Sequence, residues 1–143
     1  MASPFKTKVA MLDIIKNFAN ELSLIGFEVN EPRLNNDEGR HAFYIDDEFV
    51  GDVYFHYQKE NRSMRRIVAR FSYSVKIYHN IIYNADKVEE QYALKLRDSE
   101  TRYVTEDTVD ILYDIKNMLK DVYRNYKKAQ NKIKELKMNG DFS

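Results

Sequence analysis

A chain of 143 residues, 43% hydrophobic and 13% aromatic, carries enough apolar side chain to bury the core of one domain. It contains no cysteine, which excludes a disulfide framework, a thiolate nucleophile and a cysteine metal site, and a reducing cytoplasmic setting is expected. No apolar stretch approaches the roughly 20 residues of a spanning helix, and Asp13 and Lys16 interrupt the N-terminal one, so neither a membrane anchor nor a signal peptide is expected.

The net charge is zero, but the charges are grouped in blocks. Residues 27–58 hold eight acidic and two basic side chains, a net of −6, and residues 59–79 hold six basic and one acidic, a net of +5. Residues 80–115 return to −5 with nine acidic against four basic, and residues 116–143 reach +5 with eight basic against three acidic. Surfaces patterned in this way point to recognition. Abundant lysine, asparagine, isoleucine and tyrosine with no tryptophan is the composition of AT-rich genomes, which points to a low-GC bacterium or its phage.

The first predicted element is a helix from Pro4 to Ile25. Ser3 is placed to cap it, Pro4 suits the first helical position, and Gly26 supplies a left-handed stop. Its stripe of Phe5, Val9, Met11, Leu12, Ile14, Ile15, Phe18, Leu22 and Ile25 is wide, as on a helix lying against a sheet. Residues 28–40, polar and interrupted by proline and glycine, read as a loop with a short strand at its start.

From residue 41 the apolar period falls to 2, and three antiparallel strands are expected over about 41–46, 49–58 and 65–78. The core-facing sets are Phe49, Gly51, Val53, Phe55 and Tyr57 on the second strand and Ile67, Ala69, Phe71, Tyr73, Val75 and Ile77 on the third. With "ENRSM" as the hairpin loop, Tyr54 falls opposite Arg70, Asp52 opposite Ser72 and His56 opposite Val68. Residues 86–97 have a capping box in Asp86 and Glu89, which favours a short helix, while alternation of Tyr92, Leu94 and Leu96 favours a strand. "ETRYVT" reads as extended.

A long helix is then expected from Thr105, with Val104 and Val109 as a hydrophobic staple, to about Met138. At about 1.5 Å per residue it is near 50 Å long, against about 33 Å for a ten-residue strand. Leu112, Ile115, Leu119, Val122, Tyr126, Ala129, Ile133 and Leu136 follow uninterrupted steps of three and four, so the seam is expected to overhang the sheet and pair two copies. The expected architecture is α+β: a single domain over 1–143, with helix and antiparallel sheet over 1–104 and an oligomerising helix over 105–139.

Catalytic signatures are missing. No serine sits in a glycine-flanked elbow, the glycines at 26, 39, 51 and 140 form no phosphate loop, and His41, His56 and His79 lack zinc-motif spacing. Helix followed by three antiparallel strands also opens the core of PD-(D/E)xK nucleases, for which Asp46, Asp47, Asp52 and the run Tyr57 to Lys59 are the nearest residues. The carboxylate required two positions before the lysine is absent, so neither an enzyme nor a bound metal or cofactor is expected.

The expected function is binding: a homodimeric regulatory or inhibitory protein of phage type, engaging a protein partner through its charge-patterned surfaces. The alternative is nucleic-acid binding through Arg66, Arg70 and Lys76 with Tyr54 and His56 on the sheet, and Lys120, Arg124, Lys127 and Lys134 on the last helix. A third reading places a small anionic ligand at Tyr54, His56 and Arg70.

Overall fold

The computed structural model describes residues 8–30, 33–34, 38–56, 66–105 and 107–141. Helix α1 (Lys8–Ile25) is followed by strands β1 (Glu28–Val29), β2 (Arg33–Leu34), β3 (Glu38–Ile45), β4 (Glu48–His56), β5 (Ile67–Asn84) and β6 (Lys87–Val104), and helix α2 (Ile111–Asp141) ends the chain. The fold is α+β. The antiparallel sheet has the order β1-β3-β4-β5-β6, with β2 also paired to β3.

Met11, Ile15, Phe18, Ala19 and Leu22 recur at helical spacing and are buried, so α1 lies on the sheet by one face. It ends in a Schellman motif: the Phe27 amide donates to the Leu22 carbonyl at 3.2 Å and the Gly26 amide to Ser23 at 3.1 Å. Gly26 has φ +132°, and a Cβ there would collide with the Tyr123 ring. The motif drives Phe27 into the core, edge-on to Phe43 at 5.9 Å and Tyr123 at 5.3 Å. The predicted cap at Ser3 and Pro4, the "ENRSM" loop and the run Tyr57 to Lys59 lie outside the described residues.

Two aspartates, Asp46 and Asp47, both with positive φ, form the two-residue turn between β3 and β4, the left-handed pair that matches strand twist. The ladder there contains a bulge. Phe43 pairs with Gly51 and Tyr44 with Phe49, leaving Val50 as the extra residue. That corrects the expected core set: Val50, Val53 and Phe55 are buried, whereas Phe49 turns outward against Tyr44 at 5.6 Å. A second correction concerns register. Asp52 pairs with Arg70 and Tyr54 with Val68, two residues from the expected alignment. A shift of two preserves the faces and brings a carboxylate opposite a guanidinium, which electrostatics favours over Asp52 opposite serine.

The largest departure is at residues 79–104. Residues 86–97 belong to β6 and form no helix, and β5 continues six residues past its expected end at Tyr78. The two strands pair in constant register from Ile67 with Val104 to Asn84 with Lys87, closing through Ala85 (φ 52°) and Asp86. Eighteen residues per strand span about 60 Å. Helix α2 has 31 residues, about 46 Å.

The core is one cluster that joins α1, the inner sheet face and α2 through Phe43, Phe55, Phe71, Ile15, Ile115 and Leu119. Helix α2 starts later than expected. Thr105 and Thr108 make a local turn, the Thr108 hydroxyl accepting from the Thr105 amide at 2.8 Å, and the first helical bond runs from the Asp114 amide to the Asp110 carbonyl. Farther along, Tyr126 donates to Glu48 Oε2 at 3.3 Å, and Glu48 Oε1 accepts from the Leu96 amide at 3.0 Å. One carboxylate thus ties the start of β4 to β6 and α2.

Burial, then Glu48, pushes the Tyr126 hydroxyl up to about 12 from its ordinary 10. The unfolded chain releases this proton at lower pH than the folded one. Its stabilising effect is therefore intact below pH 10 and lost as pH rises towards 12. Melting temperatures measured across this range should fall for the wild type, and Tyr126→Phe should flatten that fall.

Candidate functional site

Three features of the surface concentrate chemistry, and each follows from the strand and helix placements above.

On the outer sheet face, Asp52 is completely buried although it carries a charge. Arg70 clasps it with a fork, Nε to Oδ1 at 3.0 Å and Nη2 to Oδ2 at 2.6 Å, while Arg40 adds Nε to Oδ2 at 2.8 Å. Arg40 lies on β3 opposite Tyr54, diagonal to Asp52, and Arg70 lies directly across from Asp52 on β5. The hydrogen bond to Asp52 raises the Arg70 guanidinium above its ordinary value, against the opposing effect of burial. The guanidinium also sits 5.3 Å from the centre of the Tyr54 ring. Both arginines are about half exposed, so the cluster shows water a net positive edge.

The second feature is a cleft of about 820 Å³ between the C-terminal turn of α1 and the outer side of α2. Lys116, Lys120, Arg124, Lys127 and Lys128 line it, with Glu21 as the one carboxylate among the described lining residues and Leu24, Ile25 and Tyr123 as apolar wall. Three of the cations have an acidic neighbour: Lys116 with Glu21 at 3.6 Å, Arg124 with Asp121 at 3.4 Å and Lys127 with Asp46 at 3.4 Å. Lys120 and Lys128 have no acidic partner within 4 Å among the described residues.

The third is the outer half of the β5–β6 hairpin, an arm that leaves the sheet. Strand β5 pairs with β4 only as far as Phe71, and beyond it the two arm strands pair only with each other among the described residues. Thirteen residues of β5, about 43 Å, remain beyond Phe71. Along the arm Ile77, Tyr78, Ile81, Ile82, Tyr83 and Val88 are exposed, with Tyr83 77% and Val88 64% accessible. Odd and even positions face opposite sides, so apolar side chains stand on both faces. Cross-strand contacts brace the ribbon: His79 stacks on Tyr92 at 4.7 Å, and Arg97 Nε donates to the Tyr78 hydroxyl at 2.9 Å.

These placements sort the residues singled out by sequence. Of the helical seam, Leu112, Ile115, Leu119, Val122 and Tyr126 are buried within the chain, while Ala129, Ile133 and Leu136 are half-buried. Among the basic residues, Lys120, Arg124 and Lys127 share the cleft, and Lys134 stands exposed outside it. Arg70 and Tyr54 meet on the sheet, Arg66 lies 4.6 Å from the Tyr103 ring centre, and Lys76 is 3.9 Å from Asp98. The His56 side chain lies outside the described residues. The sheet set and the helix set face opposite sides of the two-layer fold, so they form no single basic surface. Among the carboxylates considered for metal chemistry, Asp52 is held by two arginines and Asp46 by Lys127 and Gln130. No three described His, Asp or Glu side chains converge as a metal site. Among the described residues no helix is long and apolar enough to cross a membrane.

Sequence reasoning missed Arg40, Lys116, Lys128 and the apolar arm. The arm had a signal, the alternation of Tyr92, Leu94 and Leu96, which competed with a capping-box pattern at Asp86 and Glu89. No protein-family model matches the chain, and comparison with curated proteins and with solved structures gives no match.

Removing Asp52 leaves two guanidiniums facing each other without their shared counter-charge. Asp52→Ala should lower unfolding free energy by about 3 kcal/mol, the low end for a broken buried pair because both arginines keep contact with water. Urea titration followed by circular dichroism checks this.

Proposed function

We propose that the chain is a non-catalytic protein-binding protein of the small regulatory or inhibitory kind, and that the β5–β6 arm is its docking element. The observation that carries this reading is the exposure of Ile81, Tyr83 and Val88 on a ribbon whose strands, beyond Phe71, pair only with each other among the described residues. Long apolar edges invite pairing with other chains, and stable proteins shorten, charge or cover them. An arm that keeps its rings and branched side chains in water is covered by a partner when it works. The outer part of such a ribbon offers main-chain hydrogen bonds for strand addition, and the exposed side chains offer anchors. The lack of cysteine suits work in a reducing cytoplasm, that of the host if the chain is phage-encoded.

The test uses the full chain as bait in a lysate of its source cell, beside the variant Ile81→Lys/Val88→Lys. Both substituted positions are exposed, so the variant should melt like the wild type. Wild type should retain a protein that the variant loses. Retention of the same proteins by both would remove the arm from the function.

A further inference from the structure

We propose that the tip of the β5–β6 arm of one copy seats in the α1–α2 cleft of a second copy. This deepens the reading of the arm as a docking element and rests on it. The two surfaces are matched in charge and in apolar character. Around the turn, Asp86, Glu89 and Glu90 stand against Lys87, an acidic tip on an apolar ribbon. Glu90 has His79 at 3.8 Å, but Asp86 and Glu89 have no basic partner within 4 Å among the described residues. The cleft mirrors this: Lys120 and Lys128 lack acidic partners, and Leu24, 87% exposed, stands at its edge beside Ile25 and Tyr123. Two unpaired acids with apolar neighbours face two unpaired cations with apolar neighbours.

The apolar wall also decides between occupants. A phosphate backbone would use the cations and leave Leu24 wet, whereas a tip carrying Ile81, Ile82, Tyr83 and Val88 uses both. Arm and cleft are different surfaces, so a single contact alone would be head-to-tail. A two-fold arrangement, each arm entering the other copy's cleft, makes the interface isologous and leaves no arm free to continue a chain.

Sedimentation velocity on the full chain tests this with charge reversals at exposed positions. Asp86→Lys/Glu89→Lys makes the tip basic, and Lys120→Glu/Lys128→Glu makes the cleft acidic. Wild type should be dimeric, each variant alone should dimerise at least about tenfold more weakly, and an equal mixture of the two variants should recover the wild-type dimer, since both contacts are then again between opposite charges. Circular dichroism melting separates a lost contact from a lost fold. If the cleft variant stays dimeric while Ile81→Lys/Val88→Lys is monomeric, the cleft is not the receptor, the inference fails, and the arm as docking element stands. A dimer that survives the arm variants also overturns it, as does a wild type that is monomeric at all concentrations. So does a cleft variant that loses only salt-sensitive binding of a labelled oligonucleotide, which would assign the cleft to nucleic acid.

Discussion

The pairing of β5 with β6 continues long after the sheet beneath it has ended, and that mismatch sets the rest of the molecule. Core packing accounts for the first part of the ladder, where Ile67, Ala69 and Phe71 meet the helices. Past Phe71 the strands lose β4, and the half-buried Val75, Leu94 and Leu96 mark a transition from core to arm. From there local cross-strand pairs hold the ribbon, including the His79 and Tyr92 stack and the Arg97 contact to Tyr78. A two-stranded ribbon is marginal alone in water, so its rooting in a larger sheet gives the arm its base. Glu48 reinforces the root by accepting from both Leu96 and Tyr126, so strand and helix share one anchor.

The seam of α2 divides along its length. Leu112, Ile115, Leu119, Val122 and Tyr126 are buried within the chain, and Ala129, Ile133 and Leu136 beyond them are half-buried. What α2 turns outward is the basic side, which with α1 makes the cleft. The neutral total charge conceals this division, since the arm tip and the outer side of α2 carry opposite signs.

Much of this was legible in the sequence where one signal dominated. The Leu22 to Phe27 stop was readable because Gly26 follows a full amphipathic stripe, and the strand character of 41–56 was readable from alternation. Three features were not. The bulge at Val50 has no local marker, because Phe49 and Val50 are both apolar and either could face the core. The register between β4 and β5 turned on Asp52 finding Arg70, a long-range charge pair that no local loop rule specifies. The arm closes through Ala85 and Asp86 rather than an Asn-Gly turn, so its hairpin gave no turn signal, and glutamate-rich "DKVEEQ" imitated a helix start. The Arg40–Asp52–Arg70 cluster was invisible for the same reason, since it exists only in the true register.

A chain without cysteine permits a direct test of arm against cleft. Val88→Cys and Lys128→Cys proteins, made with different isotopic mass, would be mixed, oxidised gently and analysed by mass spectrometry. A disulfide joining position 88 of one copy to position 128 of the other is expected, abolished by Asp86→Lys/Glu89→Lys. Cross-links only between like positions, or none between 88 and 128 in a sample that sediments as a dimer, would contradict it.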